Sequence, residues 1–412
     1  MQVYLDNAAS TCLDEEAMRE MMPFLRETYA NPSGACSFSA KARSAVEKAR
    51  ERVAGLIGAA GDEIVFTSGG TEADNMAILG VATESVSVPK MAVQQGIFGA
   101  GTVTQDFAEP SGSLGKSGRV RYKIITSKIE HPAVLESCKE AERRGYTVLY
   151  APCDKNGRID ISFIKRNTDK STLLVSIMTA NNELGTIQDI REIAGIAHEA
   201  GALFHTDAVQ AAGHIPLNVR ESGADLLSIS SHKLHGPKGI GALYVRRGVK
   251  IAPVSFGGGQ EKGLRSGTLN VPSIVGFGKA CEIARESMEQ TVSDMARMRE
   301  YFIDGLKKSI EGVHINGADS LPSIVSVSFD GIEGSSLLIE LDMRGICCST
   351  GSACSASKEG PSHVLLTAGL SEERIRGAMR FSFSKYTTYE ELDHTVKAVG
   401  ECVERLRRIR NI

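Results

Sequence analysis

Residues 225–245 read DLLSISSHKLHGPKGIGALYV. The first six have the alternation of a short half-buried strand, and GALYV at 241–245 reads as a second strand. Between them Gly236, Pro237 and Gly239 punctuate a loop. Lys233 therefore stands just past a strand end, crowded by Ser230, Ser231, His232 and His235. A surface lysine needs no such setting. A lysine that must lose its proton for covalent chemistry does.

Outward from this stretch the chain alternates strand and helix patterns. EIVFT (63–67) precedes the helical GGTEADNMAILGVA, and KIIT (123–126) precedes PAVLESCKEAERRG. TLLVSIMTA (172–180) and ALFHT (202–206) are further strands. Strands separated by helices predict an α/β fold with a mostly parallel sheet, whose binding crevice lies at the strand C-termini. After Gly257 the texture changes. Glycine-rich GGGQEKGLRSGT leads into a charged helical pattern from Val271 to Ile310, then the period-two SIVSVSFDG, helical SSLLIELDMRG and a terminal helix from Glu390. This second part predicts a smaller α+β domain. Between Glu84 and Arg121 the run QQGIFGAGTVTQDFAEPSGSLGKSGR has no sustained period, as a surface insertion or a functional loop would.

A chain of 412 residues exceeds what one core usually serves, so two domains are expected. Its 42% hydrophobic and 24% charged residues are those of an ordinary globular protein. A net charge of −3 gives no electrostatic case for nucleic acid or an anionic membrane. No uncharged stretch reaches the roughly 18 residues of a membrane span. MQVYLDNAAS carries an acid where a signal peptide carries bases. Nine cysteines without a C-x-x-C pair argue against a disulfide framework and against a metal site. Free thiols in a reducing, cytoplasmic compartment are the expectation.

The strand-end residues form a constellation. Asp207, in HTDAVQ, is by itself equally a turn former, and Lys233 by itself a solvated lysine. Together, at the ends of successive strands, they would face one crevice. That pairing suits pyridoxal 5′-phosphate: the amine takes the aldehyde, and the carboxylate keeps the pyridine nitrogen protonated. SGGTEAD (68–74) offers a phosphate cradle, with Gly70 allowing a tight turn and a helix opening near Thr71. Ser230 and His232 could donate to the same phosphate. His131, in SKIEHPAVL, is either a local cap or a ring stacked on the cofactor. Cys354, in STGSACSAS, is a thiol among small residues, suited to reaching a substrate.

This combination resembles the cysteine desulfurases of the iron–sulfur-cluster and nitrogen-fixation type, within the class V aminotransferase family. The resemblance rests on YLDNAAST (4–11), NPSG (31–34), FTSGGTEADN (66–75), IEHPAVL (129–135), SIMTANNELG (176–185), HTDAVQ (205–210), SHKLHGPKGIGALYVRR (231–247), GGGQEKGLRSGT (257–268), STGSAC (349–354) and MRFSFSKYTT (379–388), which run in family order through nearly the whole chain.

The resemblance implies the aspartate-aminotransferase-like fold, with a large cofactor-binding domain over 16–262 and a small domain of 1–15 and 263–412 carrying the cysteine loop. Lys233 would bind the cofactor and move the substrate α-proton. Asp207 would pair with the pyridine nitrogen and Gln210 with the ring hydroxyl, while His131 would stack on the ring. Gly70, Thr71, Ser230 and His232 would hold the phosphate, with Thr268 reaching in from the other subunit of a homodimer. Asn31, Asn182 and Arg380 would bind the substrate, and Cys354 would take sulfur from L-cysteine as a persulfide, leaving alanine. The sulfur would pass to an acceptor such as an iron–sulfur scaffold or a tRNA-thiolation protein.

The chain departs from its relatives at Cys12, Cys36, Ser39 and Ser384-Lys385, and in the length of its 84–121 segment. Cys347 and Cys348, after an apolar helix, read as packed thiols. Two other readings stay open. A selenocysteine or cysteine-sulfinate lyase would share Lys233 and Asp207 without needing Cys354. A non-catalytic scaffold would be expected to lack Lys233 or Asp207. Neither G-x-G-x-x-G after a first strand nor a P-loop is present, which disfavours a nucleotide-binding protein.

Overall fold

A computed structural model describes residues 1–85, 113–114, 120–350 and 360–410. Its centre is a seven-stranded sheet of β1 (Ile64–Thr67), β2 (Lys123–Ser127), β3 (Thr147–Ala151), β4 (Thr172–Ser176), β5 (Leu203–Asp207), β6 (Leu226–Ser230) and β7 (Gly241–Val245). The spatial order is β1-β7-β6-β5-β4-β2-β3. Only β7 runs antiparallel to its neighbours, because it returns directly from β6 through the Lys233 loop.

Strand periodicity sends successive side chains to opposite faces, and here both faces are covered. Ile64 and Phe66, Leu227 and Ile229, and Ala242 and Tyr244 enter one core. There they join α1 (Glu15–Arg26), α2 (Ser37–Leu56) and the helix Val271–Glu286. Val65, Leu226 and Leu243 enter the other, under α3 (Gly70–Ser85) and α4 (Pro132–Arg143). β4 stops at Ser176 rather than continuing to Ala180. Beyond it Ile177 N still donates to His205 O at 3.1 Å and Thr179 N to Asp207 O at 2.8 Å, before a turn in which Asn181 Oδ1 accepts from the amides of Glu183 and Leu184, each at 2.9 Å.

A separate core forms around a three-stranded antiparallel sheet of β8 (Val313–Asn316), β9 (Ile324–Phe329) and β10 (Ala378–Ser382). Phe302, Leu306, Val325, Val327, Phe381 and Val399 fill it, together with Val3 and Leu5 from the N-terminus. The charged pattern from Val271 to Ile310 is two helices, α5 (Val271–Glu286) and α6 (Met288–Ser309). Ser287 breaks it: the backbone there leaves helical angles while its hydroxyl donates back to Ile283 O at 2.9 Å. The terminal helix α7 (Tyr389–Ile409) starts on a reciprocal cap, with Thr388 N donating to Glu391 Oε2 and Glu391 N to Thr388 Oγ1. Among the described residues no helix is long and apolar enough to cross a membrane, and no cluster of His, Cys, Asp and Glu could hold a metal.

Candidate active site

Five strand ends open onto one cavity of about 180 Å³. Gly70 and Thr71 come from the turn after β1, and His131 from the turn after β2. Met178, Ala180 and Asn182 follow β4, Asp207 and Gln210 close β5, and Ser230, His232 and Lys233 close β6. Residues far apart in sequence converge because parallel strands end on one edge.

Lys233 sits in a one-turn 3-10 helix directly after β6 and is buried. Its Nζ donates to the carbonyls of Ala8 at 2.5 Å and Ala9 at 3.0 Å. Gln210 Nε2 donates to the same Ala8 carbonyl at 2.9 Å. The N-terminal segment thus closes one side of the cavity, secured by Thr11 Oγ1 donating to His232 O at 2.9 Å.

Asp207 is buried, with Oδ1 accepting from Val209 N at 2.9 Å. Burial pushes its carboxyl above the ordinary range, while His131 and Lys233 pull it back. Asp74 lines the same cavity, and burial plus the nearby Asp207 charge push its carboxyl well up. Among the described residues Asp74 Oδ1 has no hydrogen-bond partner; the nearest base is His205 Nε2 at 3.7 Å. His205 itself spans the sheet between Ser176 Oγ at 2.8 Å and Ser228 Oγ at 3.0 Å, and burial pushes it down to about 3. Glu130 is a third buried acid, accepting from Ser127 Oγ at 2.6 Å and Met178 N at 3.1 Å. Burial pushes its carboxyl up to about 8. Neither Asp74 nor Glu130 was singled out from sequence. Asp74 could have been, since three positions after Thr71 is one helical turn on the same face.

His131 is at once the N-cap of α4 and a wall of the cavity. Its Nδ1 accepts from Ala133 N at 3.1 Å, which assigns the ring proton of the neutral form to Nε2. Burial, Lys233 and His363 lower its basicity against the pull of Asp207.

The start of α3 offers first-turn amides that have no acceptor within the helix, as an anion cradle requires. Close packing is built in. A Cβ on Gly70 would lie 2.6 Å from Val209 Cγ2, and one on Gly241 would lie 2.8 Å from the Gly69 backbone. Burial, Lys233 and Lys238 push His232 down to about 4, so its neutral ring can hydrogen-bond, as it does with Ser10 Oγ at 3.3 Å.

Of the residues expected to bind substrate, Asn182 lines the cavity and Arg380 is buried beside it. Arg380 Nη1 donates to Asn182 O at 2.8 Å and Nη2 to Asp6 Oδ1 at 2.6 Å; Nε has no partner among the described residues. Asn31 and Thr268 are exposed and are not among the residues that line this cavity. Asn31 instead accepts from Ser33 N at 3.0 Å. The loop bearing Thr268 is tied to α3 by Arg265, which reaches Glu72 at 2.9 Å. Cys354 lies outside the described residues, as does most of the 84–121 segment. Cys348 is buried with its thiol pushed up by burial, and Cys347 is half-buried. Of the departures, Cys12 is exposed with Sγ 3.7 Å from His235 Nδ1, Cys36 is exposed beside Ser39 Oγ at 3.4 Å, and Lys385 pairs with Asp14 at 2.5 Å.

The donor set fits pyridoxal 5′-phosphate. Amides, hydroxyls and a neutral imidazole suit the phosphate, a primary amine suits the aldehyde, and Asp207, with an Asp74 oxygen that has no partner among the described residues, suits a cationic ring.

Comparison with known proteins gives four likenesses. A family model described as aminotransferase class-V matches residues 3–94 and 94–395. The chain is 46% identical over 410 residues to a protein of Dictyoglomus turgidum named cysteine desulfurase IscS, covering 99% of this chain and 96% of that one. Among solved structures, a NifS-like protein matches with a TM-score of 0.86 at 38% identity, over 98% of this chain and 100% of that one. A structure titled SspA in complex with cysteine matches with a TM-score of 0.77 at 34% identity, over 94% and 100%.

Proposed function

The chain belongs to the class-V aminotransferase family, and on that premise we propose that it is a pyridoxal-phosphate-dependent enzyme, a cysteine desulfurase. One observation carries the reading. The Lys233 amine, the Asp207 carboxylate and the α3 cradle share a cavity beside Arg380, and the backbone of Arg380 is paired with Ser349, at the start of the STGSAC stretch.

When bound, the cofactor supplies an aldehyde that captures the substrate amine and an electron-poor ring that acidifies its α-carbon. Asp207 would hold the ring nitrogen protonated, Gln210 would reach the ring hydroxyl, and His131 would lie against the ring and handle a proton through Nε2. Gly70, Thr71, Ser230 and His232 would hold the phosphate. Arg380 and Asn182 would orient the substrate carboxylate, the buried Arg380 Nε being a donor without an acceptor among the described residues. Lys233, once its amine is released, would take the α-proton and return it. The Cys354 thiolate would then attack the substrate sulfur. The carbon–sulfur bond breaks, a sulfur–sulfur bond forms on Cys354, and carbon takes a proton to give alanine. Atoms balance without an external oxidant.

The same proposal includes a cytoplasmic homodimer, with Asn31 near the substrate entrance and Thr268 of a second copy completing the phosphate site; the exposure of Thr268 supports this. It also includes a large part of 16–262 and a small part of 1–15 and 263–412. The separate core around Phe302 and Phe381, joined by Val3 and Leu5, supports such a division, while α5 packs on the large core. The acceptor would be a protein that takes persulfide sulfur for iron–sulfur clusters or tRNA thiolation.

The test is chemical. Borohydride treatment should bleach the yellow protein and leave the label on Lys233. L-cysteine should yield alanine and a persulfide on Cys354 that Cys354→Ala removes without loss of cofactor. Persulfide lost instead in Cys347→Ala would overturn the assignment.

A further inference from the structure

The chain on either side of the Cys354 segment is fastened to the substrate side of the cavity. Upstream, Ser349 and Arg380 exchange backbone hydrogen bonds, with Ser349 N donating to Arg380 O at 3.1 Å and Arg380 N to Ser349 O at 2.6 Å. Downstream, Ser362 Oγ donates to Glu183 Oε2 at 2.5 Å, with both residues buried. Glu183 directly follows Asn182. The next residue, His363, donates from Nε2 to the backbone carbonyl of Glu130 at 3.1 Å. Glu130 directly precedes His131, and its own carboxylate is locked by Ser127 and Met178.

The Ser362 contact exceeds what local structure requires. As N-cap of the short helix His363–Thr367, Ser362 needs only to accept from Leu365 N, which it does at 3.1 Å. The bond it donates reaches a carboxylate that is costly to bury. A second tether on the adjacent residue then fixes the direction of the chain as well as its position.

We propose that Ser362 and His363 are positioning residues for sulfur transfer, fastening the chain downstream of Cys354 to the two loops that carry Asn182 and His131. A thiol delivered from a chain segment reacts at a rate set by how well its ends are placed, and a misplacement of 1 Å costs about 100-fold. The inference rests on the desulfurase reading. It adds that binding and α-proton chemistry are separable from transfer to the thiol.

The test uses the full-length holoenzyme and two substrates. L-cysteine requires Cys354 to accept its sulfur. L-cysteine sulfinate does not, since its sulfur can leave as sulfur dioxide while a proton replaces it on carbon. Ser362→Asp keeps a capping acceptor but sets a carboxylate against Glu183, His363→Phe removes the second tether, and Ser362→Thr keeps both hydroxyl roles. We expect Ser362→Asp and His363→Phe to slow persulfide formation on Cys354 by about tenfold or more. The KM for L-cysteine and the turnover of L-cysteine sulfinate, each compared at the variant's own pH optimum because His363 bears on the basicity of His131, should stay within about twofold, and Ser362→Thr should restore transfer. Equal losses on both substrates, or full transfer in Ser362→Asp and His363→Phe, would overturn the tether. A wild-type enzyme that never forms a persulfide on Cys354 would instead overturn the reading beneath it.

Discussion

Lys233 Nζ donates to the carbonyl of Ala8 at 2.5 Å, so the cavity-lining amine is held by the N-terminal segment that walls the cavity. The contact links two distant stretches, DNAAS and SSHKLHG, through a single side chain.

Replacing that side chain should separate chemistry from folding. Lys233→Ala is expected to lower turnover of L-cysteine by more than about 10³-fold, because the proposed covalent anchor and proton carrier would be lost together. The lost hydrogen bonds should cost about 1 kcal/mol each, a small part of the stability of a domain this size. Alanine release and a thermal melt on the same preparation check both halves. A variant that turns over normally would exclude Lys233 from the chemistry.

Asp207→Asn keeps an oxygen for Val209 N and removes the charge. Turnover should fall by about 10²-fold or more, since the proposed electrostatic partner of the reacting ring would be neutralised. Stability should hold or rise, because a carboxylate held above its ordinary range by burial is no longer buried. Steady-state kinetics beside urea unfolding measures the two effects. A stable variant with unchanged turnover would dissociate Asp207 from the ring.

The strand-end residues were legible in the sequence because each follows a short apolar run and precedes a helix or a glycine turn. That pattern alone brings Thr71, His131, Asp207 and Lys233 to one edge of a parallel sheet. Asp74 and Glu130 were not singled out. Their importance lies in burial and in the mutual repulsion of three carboxylates, which depend on which strands become neighbours in space. The break at Ser287 was also missed, since the charged periodicity continues across it and the interruption is a single backbone turn. The tethers of Ser362 and His363 join residues 179 and 233 positions apart, and no local pattern encodes such contacts.

The cradle predicts a rescue. Gly70→Ala should place a methyl against Val209 Cγ2 and push the start of α3 away from the proposed phosphate site. Cofactor retention on dialysis should weaken by about tenfold for a shift of this kind. Val209→Ala removes the clashing carbon, so the Gly70→Ala/Val209→Ala pair should regain most of the affinity. A pair no better than Gly70→Ala would show that something other than this contact sets the cradle.

Stability should be lost on both sides of neutrality, for opposite reasons. Burial pushes His205 down to about 3, and His214 and His235 to about 4, from 6.5. Their neutral forms carry stability that is fully present above 6.5 and is lost as pH falls toward 4, where the unfolded chain binds protons the folded chain refuses. Burial raises Glu183 to about 7 and Glu130 to about 8, from 4.5. Stability from these acids is fully present below 4.5 and is lost as pH climbs through 7 and 8, where the unfolded chain has already released its protons. Each fully buried group contributes of order a few kcal/mol. Urea unfolding from pH 4 to 9 should therefore trace a dome with its crest near pH 6 to 7. Glu130→Gln should flatten the alkaline fall and leave the acid fall in place. A wild-type curve that stays level from pH 7 to 9 would mean that both carboxylates are ionised in the folded chain throughout, held by donors such as Ser127, Met178 and Ser362 strongly enough to cancel the burial that raises them.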